Sequence, residues 1–95
     1  MEGLKIEWDS AKAASNRRKH RVAFEEARTV FTDPNAYFED DHAHSGSEVR
    51  MKAVGFSERP RLLTVIFTRR DETTRIISAR KASAAEEAAY AQDLS

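Results

Sequence analysis

The stretch SNRRKHR, from Ser15 to Arg21, packs four fixed positive charges and a histidine into seven residues. Together with the residues just before it, it places Lys12, Asn16, Lys19 and His20 at i, i+4, i+7 and i+8. On a helix this spacing gathers them onto one face of roughly 100°. Such a face reads in two ways. It is a cationic edge for an anion, or a solvated helix end whose Lys and His complement the dipole by about 0.3–1 kcal/mol. A second set is arginine on strand-like runs: Arg50, Arg75 and Arg80, with Arg69 and Arg70 closing a hairpin. Guanidinium groups bind phosphate oxygens bidentately and stay charged at physiological pH, although strand arginines also blunt sheet edges. Whether these arginines converge depends on strand register, which the sequence leaves open.

A third set lies in DDHAHSGSEVR, from Asp40 to Arg50. His42 and His44 with Asp40 and Asp41 are of metal-ligand type, but no further His or Cys stands at a recognised ligand spacing, so neither a metal site nor a cofactor is expected. Glu48 and Arg50, two residues apart, share a strand face. They would set a carboxylate base beside a phosphate-binding cation, or form an ordinary surface ion pair worth up to about 1 kcal/mol. The chain has no glycine-rich phosphate loop, nucleophile elbow or HExxH. An enzyme built from it would work with Lys, His, Arg and Glu. Those groups suffice for metal-free RNA cleavage, in which a ribose 2′-hydroxyl attacks the adjacent phosphate: a base takes its proton, cations stabilise the phosphorane, and an acid protonates the leaving oxygen. DNA lacks that internal nucleophile, so the chemistry itself selects RNA.

Ninety-five residues allow one domain, expected over residues 1–95. With 40% hydrophobic residues, three glycines and two prolines, the chain has the composition of a folded domain, and 34% charged residues imply a surface crowded with charge. Without cysteine, disulfides and thiolate metal sites are excluded. MEGLKIEWDS lacks the pattern of a signal peptide and no apolar run is long enough to span a bilayer, so a cytoplasmic protein with no membrane contact is expected. The formal net charge is zero, yet residues 49–81 hold nine Lys/Arg against three acids, while 39–48 and 82–95 hold four and three acids with no Lys or Arg. Zoning of this kind can present one surface to a polyanion despite overall neutrality.

The elements that must position these groups are legible in outline. Leu4, Ile6 and Trp8 alternate as a strand, and Asp9-Ser10 offers an N-cap for a helix to about His20, with Trp8, Ala11, Ala14 and Ser15 as its inner stripe. AFEEARTVF predicts a second helix that buries Ala23, Phe24, Ala27, Val30 and Phe31, turns Glu25 and Glu26 outward, and ends at Asp33-Pro34. Ala36 to Phe38 reads as a short strand. Runs at about 50–57, 62–68 and 74–80 follow with short turns, an antiparallel meander whose apolar middle run suits the central strand. Ser83 and Glu86 form a capping box before a final alanine-rich helix. The order β-α-α-β-β-β-β-α predicts an α+β domain: a small antiparallel sheet with two N-terminal helices and one C-terminal helix packed on one face.

The series WDxxKxxxNxxKHxVxFEEA, from Trp8 to Ala27, is followed by Phe31, Asp33-Pro34, HSGSEVR, LLTVIFTRR and RIISARKAS, and then by a helix with Glu86 and Tyr90. This ordered set covers nearly the whole chain and resembles the BrnT family of bacterial toxins. The resemblance implies a ribonuclease toxin of a type II toxin–antitoxin system with a RelE/ParE-like fold. It also implies neutralisation by a BrnA-like antitoxin in a hetero-oligomer, and autoregulation in which the antitoxin makes most of the operator DNA contacts. Carried onto matching positions, it makes Lys19, His20, Glu48, Arg50, Arg75 and Arg80 the candidate functional set, of which Lys19, His20, Glu48, Arg50 and Arg80 are the candidate catalytic residues; Arg75, with Lys12 and Arg69 from the helix face and the hairpin, is expected to make further RNA or phosphate contacts. Arg50 and Arg80 would clamp phosphate, Lys19 would stabilise the phosphorane, and His20 or Glu48 would carry the proton. Lys19 and His20 are then expected to turn towards the sheet arginines while Arg17, Arg18 and Arg21 point elsewhere. The alternative is a non-catalytic interaction module that acts with an antitoxin as corepressor.

Overall fold

The computed structural model describes residues 4–42, 46 and 48–93. They form β1 (Lys5–Glu7), α1 (Ser10–His20), α2 (Phe24–Ala27) running on into a 3-10 turn (Arg28–Thr32), β2 (Tyr37–Asp40), β3 (Met51–Phe56), β4 (Leu62–Arg70), β5 (Thr73–Lys81) and α3 (Ala84–Asp93). This is the predicted α+β order. The strands make one sheet, β1-β5-β4-β3-β2. β2 to β5 form the antiparallel meander. β1 departs from it by pairing parallel with β5 from Lys5↔Thr73 to Glu7↔Arg75, a pairing that needs the long return path the intervening chain supplies. No described helix is long and apolar enough to cross a membrane.

Pairing across the sheet separates its two faces. Ala53, Val65 and Ala79 are aligned in register and, with Leu63, Phe67 and Ile76, bury against Val22, Phe24, Ala27, Val30 and Phe31. Each fully buried side chain of this size contributes about 1.5–3 kcal/mol. Phe31 packs edge-on to Phe67 at 5.1 Å and Trp8 edge-on to Phe24 at 6.0 Å. The opposite face carries the aligned sets Val54, Thr64, Arg80 and Lys52, Ile66, Ser78. α3 lies here, with Tyr90 edge-on to Phe56 and Glu86 bonded to Thr64. The three helices therefore do not share one face. α3 is apolar mainly through alanine, and that pattern carries no information about which side of a sheet it will cover.

Two local expectations are also corrected. In α1 the stripe does not follow Ala11 and Ala14, which are exposed; the buried residue is Asn16, whose amide satisfies strand backbone. In the second helix Glu26 is buried, not turned outward. Arg61 donates to it through Nε at 2.8 Å and Nη2 at 2.7 Å, and Ser57 Oγ at 2.6 Å. The Arg61 bond lowers the Glu26 carboxyl pKa against the opposing effect of burial, with Ser57 adding to it. Arg61 also donates to the Arg21 carbonyl at 2.9 Å. Arg21 takes the left-handed C-cap conformation, φ 58°. The corner between α1 and α2 is thus tied to the turn between β3 and β4. Ala23, at the N-cap of α2, makes no side-chain cap bond, as its methyl group dictates.

Candidate functional site

α1 ends at the edge of β5 where β1 has stopped. Asn16 bonds Ala79 there, so the neighbouring turns of the same helix face, Lys12, Lys19 and His20, lie along that edge. Ser78 and Arg80 flank Ala79 and point to the face opposite the core. The consequence is a cleft of about 290 Å3 lined by His20, Asp41, Arg50, Lys52, Ile66, Ser78 and Arg80. A shallower groove of about 160 Å3 adjoins it, sharing His20 and Ser78 and adding Lys12, Ser15, Asn16, Lys19 and Ile77. Lys12 and Lys19 make no ion pair among the described residues. Arg17 and Arg18 line a separate groove of about 560 Å3 with Trp8, Ala13, Ala14 and Phe24, on the other flank of α1. Within SNRRKHR, Lys19 and His20 go to the sheet edge and Arg17 and Arg18 away from it, but of the first two it is His20 that lines the cleft with Arg50 and Arg80.

Behind the cleft lining, the charges of Arg80 and Lys52 are organised around one carboxylate. Glu86 accepts from Arg80 Nη1 at 2.7 Å and Nη2 at 3.0 Å, from Thr64 Oγ1 at 2.7 Å, from Lys52 Nζ at 3.1 Å and from the Ser83 N–H at 2.8 Å. Burial opposes its ionisation, yet these bonds, led by Arg80, hold its carboxyl far below the usual carboxylate range. Lys52 also pairs with Glu39 at 2.8 Å, and chiefly that bond raises its ammonium pKa. The Glu86 bond does the same for Arg80, whose side chain keeps 40% of its surface exposed. Arg80 is thus a fixed guanidinium, held by Glu86 and, through Nη1, by the Lys81 carbonyl at 3.3 Å, that lines the cleft.

Other predicted residues lie elsewhere. Glu48 meets Arg70 at 3.3 and 3.4 Å near the β4–β5 hairpin and does not line the cleft. The chain between Glu48 and β3 is not strand, so the two-residue spacing does not impose a shared face. Arg75 and Arg80 are five residues apart, which in a regular strand would put them on opposite faces. The irregularity at Ile66/Phe67 inserts Ile77 as an extra residue and returns both to one face. Arg75 still misses the cleft: its partner Thr68 is four residues from Thr64 along β4, about 13 Å, and its guanidinium binds Glu7 at 2.6 Å. Arg69 points to the other side of the sheet, into an apolar groove with Leu4, Phe31, Phe38, Met51, Phe67 and Thr74. His42 stands 3.7 Å from Asp40, both exposed, and His44 lies outside the described residues. Among those described, no three His, Cys, Asp or Glu gather to hold a metal ion.

Sequence reasoning gave Lys52, Thr64 and Ser78 no role in a site, weighed Asp41 only as a metal ligand, and saw Glu86 only as a cap. The capping box is real, with Glu86 N–H on Ser83 Oγ at 3.2 Å. Nothing in the spacing signalled that the same carboxylate reaches three strands.

Fold and cleft together define an α+β domain in which a helix end and separate strands gather cations over one face of a five-stranded sheet. The family model described as "Ribonuclease toxin, BrnT, of type II toxin-antitoxin system" matches residues 8–86. The chain belongs to this family. Among solved structures, the crystal structure of the Brucella abortus ribonuclease toxin BrnT is similar, with a TM-score of 0.65 and 25% identity, covering 84% of this chain and 97% of that one. A comparison with curated protein sequences finds no match.

Proposed function

We propose that the protein is an active endoribonuclease that cleaves RNA in this cleft without a metal ion, by attack of a ribose 2′-oxygen on the adjacent phosphorus. The observation that carries the reading is that His20 at a helix end, Arg50 in the segment just before β3 and Arg80 in β5 line one cleft. Arg50 and Arg80 bind the non-bridging phosphate oxygens and take up the charge that grows on the phosphorane, and Lys19 supports them from the adjoining groove. His20 carries the proton, since imidazole both accepts and delivers one near neutral pH; Glu48 is held by Arg70 away from the cleft. The 2′-hydroxyl proton passes to the base, the O2′–P bond forms as the P–O5′ bond breaks, and the departing O5′ takes a proton. The products are a 2′,3′-cyclic phosphate and a 5′-hydroxyl. A cationic surface of this kind would suit acidic contacts from a BrnA-like antitoxin, with operator DNA bound mainly through that antitoxin.

Purified protein should cleave single-stranded RNA in excess EDTA, and Arg50→Ala, Arg80→Ala and His20→Ala should each lower the rate about 100-fold or more without loss of fold. Cleavage abolished by EDTA and restored by added metal would overturn the metal-free step. One observation favours the non-catalytic corepressor: Glu86 already balances the charge of Arg80. Inducing the chain alone in a bacterium separates the two readings, because growth arrest with RNA decay marks the nuclease and harmless expression marks the module.

A further inference from the structure

We propose that Glu86 is the positioning residue of this cleft, a buried carboxylate in α3 that holds the head groups of Arg80 and Lys52 in place for a bound phosphate. The inference rests on the cleft being the ribonuclease site. Five donors converge on the two carboxylate oxygens: Thr64 Oγ1, Arg80 Nη1 and the Ser83 N–H on Oε1, Arg80 Nη2 and Lys52 Nζ on Oε2. A carboxylate offers about four lone-pair sites, so Glu86 is saturated, and its side chain is only 7% exposed. It has neither the access nor the capacity to take a proton from substrate. It is not the base.

Its cost to the proposed function is plain, because a negative charge beside an anion-binding cleft opposes RNA. What it contributes is order. Arginine and lysine side chains are long and flexible, and unrestrained head groups would have to be immobilised on each turnover. Here folding immobilises them: the bidentate bond fixes the guanidinium plane of Arg80, Thr64 and Ser83 fix the carboxylate, and Lys52 is held between Glu86 and Glu39. Donors already aimed at the developing phosphorane charge need no reorganisation in the transition state. The arrangement also makes α3 part of the site, although it contributes no lining residue to the cleft.

The test compares Glu86→Gln, Glu86→Asp, Arg80→Ala and the double variant Glu86→Gln/Arg80→Ala on a single-stranded RNA oligonucleotide, with circular dichroism and thermal unfolding to measure the folded fraction. Gln keeps the shape but turns an amide NH2 towards donors. Its kcat should fall about 10- to 100-fold per folded molecule, while KM stays level or drops because one negative charge has gone. Asp, which keeps the charge but is one methylene shorter, should fall between Gln and the parent. In the Arg80→Ala background the Gln change should lower kcat by clearly less than in the parent, since only Lys52 is left for the carboxylate to position. A purely structural role would instead lower the folded fraction and leave kcat per folded molecule and KM unchanged. That result overturns the proposal, as does a Gln effect of the same size with and without Arg80. If Arg80→Ala cleaves like the parent, the cleft is not the nuclease site and both readings fall. If Arg80→Ala is inactive and Glu86→Gln is not impaired, only the positioning role falls.

Discussion

Asn16 and Ala79 pair as if the side chain were a strand. The Ala79 N–H donates to Asn16 Oδ1 at 3.0 Å, and Asn16 Nδ2 donates to the Ala79 carbonyl at 2.9 Å and to the Val22 carbonyl at 3.0 Å. β1 covers the β5 edge only as far as Arg75, and the Asn16 amide takes over farther along. One residue thereby closes the sheet edge, holds the chain just after α1, and sets Lys19 and His20 beside Ser78 and Arg80. Asn16→Ala should destabilise the protein by about 2–4 kcal/mol, because it leaves buried Ala79 groups unpaired. Asn16→Asp should also destabilise it, since a carboxylate cannot donate to the two carbonyls. Urea unfolding measures both, and stability equal to the parent would refute the account.

Arg50 and Arg69 are both arginines of the sheet region, but on opposite faces. Arg50→Ala should lower RNA cleavage about 100-fold, whereas Arg69→Ala should stay within about threefold of the parent, the size of a long-range charge effect at ordinary salt. Equal losses would mean that RNA follows a different surface.

Breaking the Glu26 network tests the corner that carries α1. Arg61→Ala leaves the Glu26 carboxylate buried with one side-chain partner, Ser57, and a distant Arg59 at 3.9 Å. The expected loss is about 2–4 kcal/mol, towards the low end of buried pairs because Arg61 is partly solvated.

Glu26, Asp33 and Glu86 all have lowered carboxyl pKa values, so each stabilises the fold most when ionised. Their contribution is complete above the unfolded values of 4.5 and 3.8, and is lost as pH falls through the folded ones. Below those unfolded values the unfolded chain binds more protons than the native one. Urea midpoints should therefore be level with respect to these groups between pH 7 and about 6 and fall steeply below about 4.5. Glu26→Gln, though less stable at pH 7, should show a shallower acid decline; a parallel decline would remove Glu26 from the linkage.

Tyr90 donates its hydroxyl to Asp33 Oδ2 at 2.7 Å, the oxygen that also accepts the Phe56 N–H at 2.8 Å. Burial first, then Asp33, pushes the Tyr90 hydroxyl up to about 12. Alkaline absorbance titration of Tyr90→Phe against the parent should thus differ only at the top of the range. Tyr90→Phe should cost about 1 kcal/mol and Asp33→Ala more, since it removes both bonds. Gly55→Ala should also destabilise: its Cβ would sit 2.8 Å from Ala36 Cβ, inside contact distance, at about 1–3 kcal/mol.

Much of the fold was legible in the chain because it is written in local periodicity. The apolar run at 62–67, Asp33-Pro34 and the Ser83/Glu86 box marked the central strand, the end of the second helix and the start of the third. The WD, KH and RIISAR motifs marked the family. Glu26 and Asn16 were misread for one reason: polarity assigned them to solvent, and only partners distant in sequence, Arg61 and Ala79, make their burial favourable.

The candidate site divides along the same line. Residue types and the i, i+4, i+7, i+8 spacing determined by themselves which side chains could touch an anion and that Lys19 and His20 share a helix face, because helix geometry converts spacing into direction. Tertiary structure decided which arginines join them. The extra residue in β5 sets the phase that aims Arg80, loop geometry sends Glu48 to Arg70, and pairing with β1 commits Arg75 to Glu7. Strand register and long-range ion pairs are chosen by the packing of the whole sheet, and no local window of sequence contains that choice.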